Sequence, residues 1–322
     1  MRTIKLICLI CLLPALAIAQ QITRVSLTGI TNPELRVTIE KNVSIFLTEC
    51  NRAAYENDIP RTRLIAITQE AQKTLEELWD SSSFYSDESE LILKIVRTTS
   101  GDYELRGIPI VFTKADSEDD DGGEIVLMLT PSGLLSDLKI AMDKEQYTRL
   151  LLASENIKDR RLREVILGFV ENYRTAYNKK DIDFIQTVFS DDAIIIVGRV
   201  ITAQKNLPDK LGQTILTKDQ VEFIRLSKTQ YITNLSSCFK KNAFVKVGFD
   251  DISIMRHPKF PEIYGVTLKQ KWNSSNYSDE GYLFLMIDFK DEAKPIIWVR
   301  SWQPQAFTKP EDVIDLSQFL IR

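Results

Sequence analysis

The sequence predicts an α+β protein in two halves, each running from helices into an antiparallel sheet. Three observations carry this. Four β-rich runs follow one another between Ala243 and Trp302, separated by turn-forming residues. Apolar residues recur at helical spacing along 35–54, 64–79 and 162–177. A second set of β-rich runs fills 90–142, so each half ends in strands.

In the C-terminal meander the runs are 243–254, 262–272, 281–289 and 295–302, broken by His257-Pro258 with Pro261, by Asn273 to Asn276, and by Lys290 to Lys294. In the second run Tyr264, Val266, Leu268, Gln270 and Trp272 share one face and Thr267, Lys269 and Lys271 the other. An apolar face needs a cover, and the upstream helices are placed to supply it.

The chain opens on Arg2 and Lys5, an apolar run from Leu6 to Leu16, and the small-x-small site Ala17-Ile18-Ala19. That is the pattern of a secretory signal peptide, too short for a membrane span. Export to the periplasm or the extracellular space is therefore expected, with residues 1–19 removed. Bulky Ile7 and Ile10 before Cys8 and Cys11 exclude a lipoprotein site, and no other apolar run approaches membrane length. The formal charge of −4 falls to about −6 without Arg2 and Lys5, so no basic excess attracts nucleic acid. A hydrophobic content of 44% supports a packed core and argues against disorder. Cys50 and Cys238 then remain, far apart in sequence among helix-patterned residues, and read as free thiols more readily than as a disulfide.

In order, Gln20 to Thr31 reads as a short edge strand. Asn32-Pro33 opens a helix bearing Leu35, Ile39, Val43, Phe46, Cys50 and Ala54. A second helix carries Leu64 to Trp79. Strands follow at 91–97, 103–106, 108–113, 124–130 and 134–142. The segment 143–159 reads as a linker with a short helix around Tyr147. Leu162, Val165, Ile166, Phe169, Val170, Tyr173, Ala176 and Tyr177 give the strongest helical pattern. A short helix with Ile182 to Phe189, a strand at 193–201, an irregular loop to Leu216 and a helix from about Thr217 to Phe239 precede the meander. This divides the chain into an N-terminal α+β domain (20–145), a linker (146–158), a second domain (159–305) and a tail (306–322).

The run from Tyr173 to Ala193, with its Ala-Tyr-Asn-x-x-Asp turn and Phe-Ser-Asp-Asp-Ala, resembles the opening of nuclear-transport-factor-2-like (SnoaL-like, cystatin-like) domains. The resemblance covers about 159–305 and implies a cone, with helices packed into the concave side of a bent antiparallel sheet. The first half resembles the same cone by element order, giving two cone-like domains. The whole is similar to exported two-domain proteins of Bacteroides-type bacteria. The fold hosts isomerases, dehydratases, binding modules and assembly domains, so it assigns no activity.

His257, the only histidine, lies before Pro258 without a nucleophile motif and reads as a turn residue. One histidine and two distant cysteines do not make a zinc site. The acidic run Ala115 to Glu124 fails as a calcium loop, because Met128 falls where the closing glutamate is needed, and reads as a solvated hairpin tip. No metal or cofactor is expected. The aromatic set Tyr173, Tyr177, Tyr264, Tyr282, Trp272, Trp298 and Trp302 has two readings, core packing or the lining of a pocket. Tyr173, Tyr177, Asp192, Tyr264, Trp272 and Asp288 are the pocket candidates. The expected function is an exported, non-catalytic binding protein with a small apolar ligand or a protein partner in or on the second cone. One alternative is an isomerase, dehydratase or other lyase with Asp288 or Asp192 as base and Tyr173 as oxyanion donor. Another is an assembly protein, pairing as a homodimer through the outer sheet face or within the chain between its halves.

Overall fold

The computed structural model describes residues 22–98, 100–113, 122–153, 157–201 and 220–304. The leader, the acidic run as far as Asp121, the loop 202–216 and the tail 306–322 lie outside the described residues.

The first half runs β1 (Arg24–Thr28), α1 (Pro33–Glu56), α2 (Gln69–Ser82), β2 (Phe84–Tyr85), β3 (Glu90–Arg97), β4 (Tyr103–Phe112), β5 (Gly122–Leu129) and β6 (Leu135–Ala141). Asn32 caps α1, its side chain accepting from the backbone of Glu34 and Leu35, with Pro33 in the first turn. The sheet order is β1-β3-β4-β5-β6, with β1 parallel to β3 and β2 paired to β4. Ile39, Val43, Phe46, Leu47 and Cys50 of α1, with Leu75 and Leu78 of α2, are buried against Leu93, Ile95, Leu105, Ile108, Leu127 and Leu138 of the sheet. The runs 103–106 and 108–113, read as two strands, are one. Gly107 at φ +75° takes up the bulge, and Leu105 and Ile108 both stay buried across it.

The second half contains α3 (Lys144–Leu152), α4 (Ile157–Asn178), α5 (Ile182–Val188), β7 (Phe189–Ile201), β8 (Gln220–Leu226), α6 (Lys228–Lys241), β9 (Val245–Arg256), β10 (Ile263–Ser274), β11 (Tyr277–Asp288) and β12 (Ile296–Gln303). Its sheet order is β8-β7-β12-β11-β10-β9, antiparallel except where β12 meets β7. Within the helix expected from about Thr217, Gln220–Leu226 is instead a strand, and the helix starts at Lys228. Residues 220–226 find a partner in β7, and Ser227 with Gln230 forms a reciprocal capping box that fixes the start of α6. Helices α4, α5 and α6 bury their apolar stripes on one face of this sheet, against Val247, Phe249, Val266, Leu268, Leu283 and Leu285. The molecule is thus α+β, with two sheets, two main cores and a cone-like arrangement of helices on each sheet.

Helix α4 also joins the halves. Strands β6 and β9 are sheet edges, whose unpaired backbone groups need partners. Arg174 donates to the carbonyls of Ala141 and Val247, both at 2.8 Å. Asn178 accepts from the Val247 N–H at 2.7 Å, and Thr175 from the Ile140 N–H at 2.9 Å. From α2, Ser81 accepts from the Val245 N–H and Ser82 donates to the Val245 carbonyl, each at 3.1 Å. Arg106 of β4 makes two hydrogen bonds of 2.8 Å to buried Glu171 of α4 and lies 3.6 Å from the centre of the Tyr147 ring. Tyr147 belongs to the second core, so the segment read as a linker is partly built into it. Cys50 and Cys238 are both free.

Candidate ligand-binding site

Residues four apart on a helix lie one above another, so Phe169, Tyr173 and Tyr177 form a stripe on α4 facing the sheet. Tyr173 is fully buried, stacked on Phe169 and Phe249 at centroid distances of 6.3 and 6.4 Å and edge-on to Phe189 and Tyr177. Tyr177 sits edge-on to Trp272 at 6.0 Å. The stripe of α6 adds Tyr231. The hydroxyls then form a chain, Tyr173 to Tyr177 at 2.8 Å and Tyr177 to Tyr231 at 2.5 Å. Burial pushes the pKa of all three above the ordinary tyrosine value, so they remain protonated at neutral pH.

Opposite this chain stands Arg300 of β12. Register pairs it with Leu285 of β11 and Ile195 of β7, both buried in the second core. Its guanidinium carbon lies 5.0 Å from the centre of the Tyr231 ring, a cation–π arrangement. Burial works against its charge and the surrounding tyrosine oxygens work for it. A guanidinium stays protonated in either case. Arg300 is only 6% exposed, and among the described residues it makes no ion pair with a carboxylate. Its Nε–H has no hydrogen-bond partner.

Two further polar atoms on the same sheet face are buried without partners. One is Trp302 Nε1, two residues along β12 from Arg300. The Trp302 ring lies flat on Gly281 of β11, where an added Cβ would fall 2.5 Å from a ring carbon, so this close approach requires glycine. The other is Oδ1 of Asp279, while its Oδ2 accepts from the Tyr277 hydroxyl at 2.7 Å. Burial raises the Asp279 pKa, and the Tyr277 hydrogen bond and then Arg300 partly offset this. Asp279 and Trp272 face each other across β10 and β11, near the hairpin that carries exposed Tyr277, and both are half-buried.

Of the expected pocket residues, Tyr173, Tyr177 and Trp272 come together in this cluster. Tyr264 lies on the same sheet face but packs against Phe289, on the far side of Phe169. Asp192 is exposed on β7. Asp288 faces the other side of the sheet, with Phe284 and Met286, and accepts from the Lys290 N–H at 2.7 Å as a turn residue. Neither acid stands beside Tyr173. On that outer face Ile263, Phe284, Met286 and Val299 are buried within the single chain. His257 is buried and its Nδ1 accepts from the backbone of Lys259 and Phe260, as expected of a turn residue. Among the described residues no group of three or more His, Cys, Asp or Glu side chains is arranged to hold a metal, and no helix is long and apolar enough to cross a membrane.

Sequence reasoning missed Tyr231, Asp279 and Arg300 as site residues. Arg300 had a legible signal, a lone cation inside the apolar run from Ile296 to Trp302. Tyr231 had none, because only the packing of α6 on β7 brings it to Tyr177.

No family model and no curated protein matches the chain. Solved structures similar to parts of it include an NTF2-like protein from Cytophaga hutchinsonii, 14% identical, covering 44% of this chain and 98% of that one at a TM-score of 0.32. Another is Bd1075 from Bdellovibrio bacteriovorus, 11% identical, covering 66% and 93% at 0.34. A third is ActVI-ORFA from Streptomyces coelicolor, 10% identical, covering 44% and 96% at 0.31. The likeness to the structure named as NTF2-like extends over 44% of this chain and does not bear on chemistry.

Proposed function

We propose that the protein is an exported, non-catalytic binding protein whose second cone holds a small molecule against Arg300 and the tyrosine chain. One observation carries this reading: a buried guanidinium with an unpartnered Nε–H faces three hydroxyls and no carboxylate pairs with it. A buried charge is costly unless paired, and a fold made only for stability would place an apolar side chain there. Trp272, half-buried at the edge of the cluster, suits contact with an apolar ligand body. The non-catalytic reading rests on where the two candidate bases lie, Asp192 exposed on β7 and Asp288 on the outer sheet face, both away from Tyr173. Export is supported by the leader pattern ending at Ala19.

The test is a thermal-shift and ligand-observed NMR screen of the exported chain against a small-molecule library. Binders that raise Tm in the wild type and lose at least tenfold affinity in Tyr231→Phe support the reading. A library that leaves Tm unmoved, or binders indifferent to this change, would count against it. N-terminal sequencing of the secreted protein checks export, with Gln20 expected as the first residue.

A further inference from the structure

We infer that the occupant of the Arg300 site is a monocarboxylate with a planar apolar body. This rests on the binding reading above and adds the class of ligand. The argument starts from donors. The Arg300 Nε–H and the Trp302 Nε1–H are both buried, both unpartnered and two residues apart on the same face of β12. Both are obligate donors, so the group that satisfies them must accept. The guanidinium brings a full positive charge that no carboxylate of the described chain neutralises by an ion pair, so the accepting group should be anionic.

The amount of charge decides between anions. Arg300 is the cation whose charge acts on all three hydroxyls of the chain. Asp279 of β11 lies near enough for Arg300 to act on it, and its Oδ1 is buried and unpartnered. A lone cation suits one negative charge better than two, and it does so most fully where Asp279 is protonated. A carboxylate fits that charge and the planar fork of a guanidinium, whereas phosphate and sulfate esters usually draw further cations or a helix N-terminus. Trp272 and Trp302 lie on the same sheet face, Trp272 half-buried. Two of the three hydroxyl protons are used within the chain, which leaves one to donate toward the same anion.

The experiment compares acids with their neutral isosteres on the full exported chain. Benzoate, cinnamate and indole-3-acetate are titrated beside benzamide, cinnamamide and indole-3-acetamide, with inorganic phosphate as a further arm, read by tryptophan fluorescence and Tm. At least one acid is expected to bind saturably, at least tenfold tighter than its amide and than phosphate. Trp302→Phe keeps an aromatic ring but removes the indole N–H, and should weaken that acid several-fold. Arg300→Lys keeps the charge but removes the fork, and should weaken it tenfold or more. Amides that bind as tightly as acids, or phosphate that binds more tightly, overturn the carboxylate inference and leave the binding reading standing. Acids, amides and phosphate all failing to bind overturns the inference, and the library screen then decides the binding reading separately. Should Arg300→Lys not fold, the acid-to-amide ratio of the wild type and the Trp302→Phe result carry the test.

Discussion

At the scale of single residues, the tyrosine chain combines packing with hydrogen bonding. Each ring supplies buried apolar area, and each hydroxyl finds a partner two or three ångströms away. Tyr173→Phe removes one link of a fully buried chain and should cost about 1–2 kcal/mol, read from urea unfolding. A neutral outcome would place that hydroxyl in contact with water. Asp279 gives a pH signature. Burial raises its pKa in the fold above the unfolded value, and the Tyr277 hydrogen bond and then Arg300 partly offset the rise. The folded state therefore escapes the penalty at pH below the unfolded carboxylate pKa, and stability is lost as pH rises through the raised value. Asp279→Asn should raise the urea midpoint at pH 7, with the gain vanishing toward pH 3. An equal gain at both pH values would separate the effect from ionisation.

At the scale of elements, α4 does two jobs with two faces. Its aromatic stripe covers the second sheet, while Glu171, Arg174, Thr175 and Asn178 satisfy the edges of both sheets. Phe169 is 6% exposed and lies between Tyr173 and Phe289. Phe169→Ala should cost about 3–5 kcal/mol, measured by denaturant melts, as usual for a buried ring. A loss under about 1 kcal/mol would mean that the stripe does not form the cover described above. The periodicity of α4 was legible because eight apolar residues repeat at helical spacing. Its polar face was not, since buried and solvated polar residues look alike in a sequence.

At the scale of the whole molecule, the two sheets are coupled through charged and hydrogen-bonded contacts with little exposure. Glu171 is 1% exposed and is held by Arg106 from the other half. Removing one partner of such a pair strands a buried charge, so Arg106→Met should cost about 3–5 kcal/mol. Because α4 serves both edges, the halves should unfold in one transition in wild type and variant alike. Calorimetry with coincident near- and far-ultraviolet circular dichroism checks this. Two resolved transitions, with Arg106→Met shifting only one, would show independent domains.

By itself the sequence determined the α+β class, the order of most elements and the buried face of β10, where Tyr264 to Trp272 alternate with polar residues. Those features follow from local periodicity, which survives without knowledge of partners. Residues 220–226 could not be read correctly, because a short apolar run becomes strand or helix according to whether an edge is available, and β7 provides that edge. The site was decided only by tertiary structure. Tyr177 and Tyr231 are 54 residues apart and meet through helix packing. A bulge in β12 between Ile297 and Val299 resets the alternation, so that Ile297, Arg300 and Trp302 share the inner face. Asp288, read as a pocket candidate, is turned outward, and Asp279, which lies before the run read as 281–289, is turned inward by the register of β11. Sidedness and register are properties of pairing, and pairing is what a linear pattern leaves open.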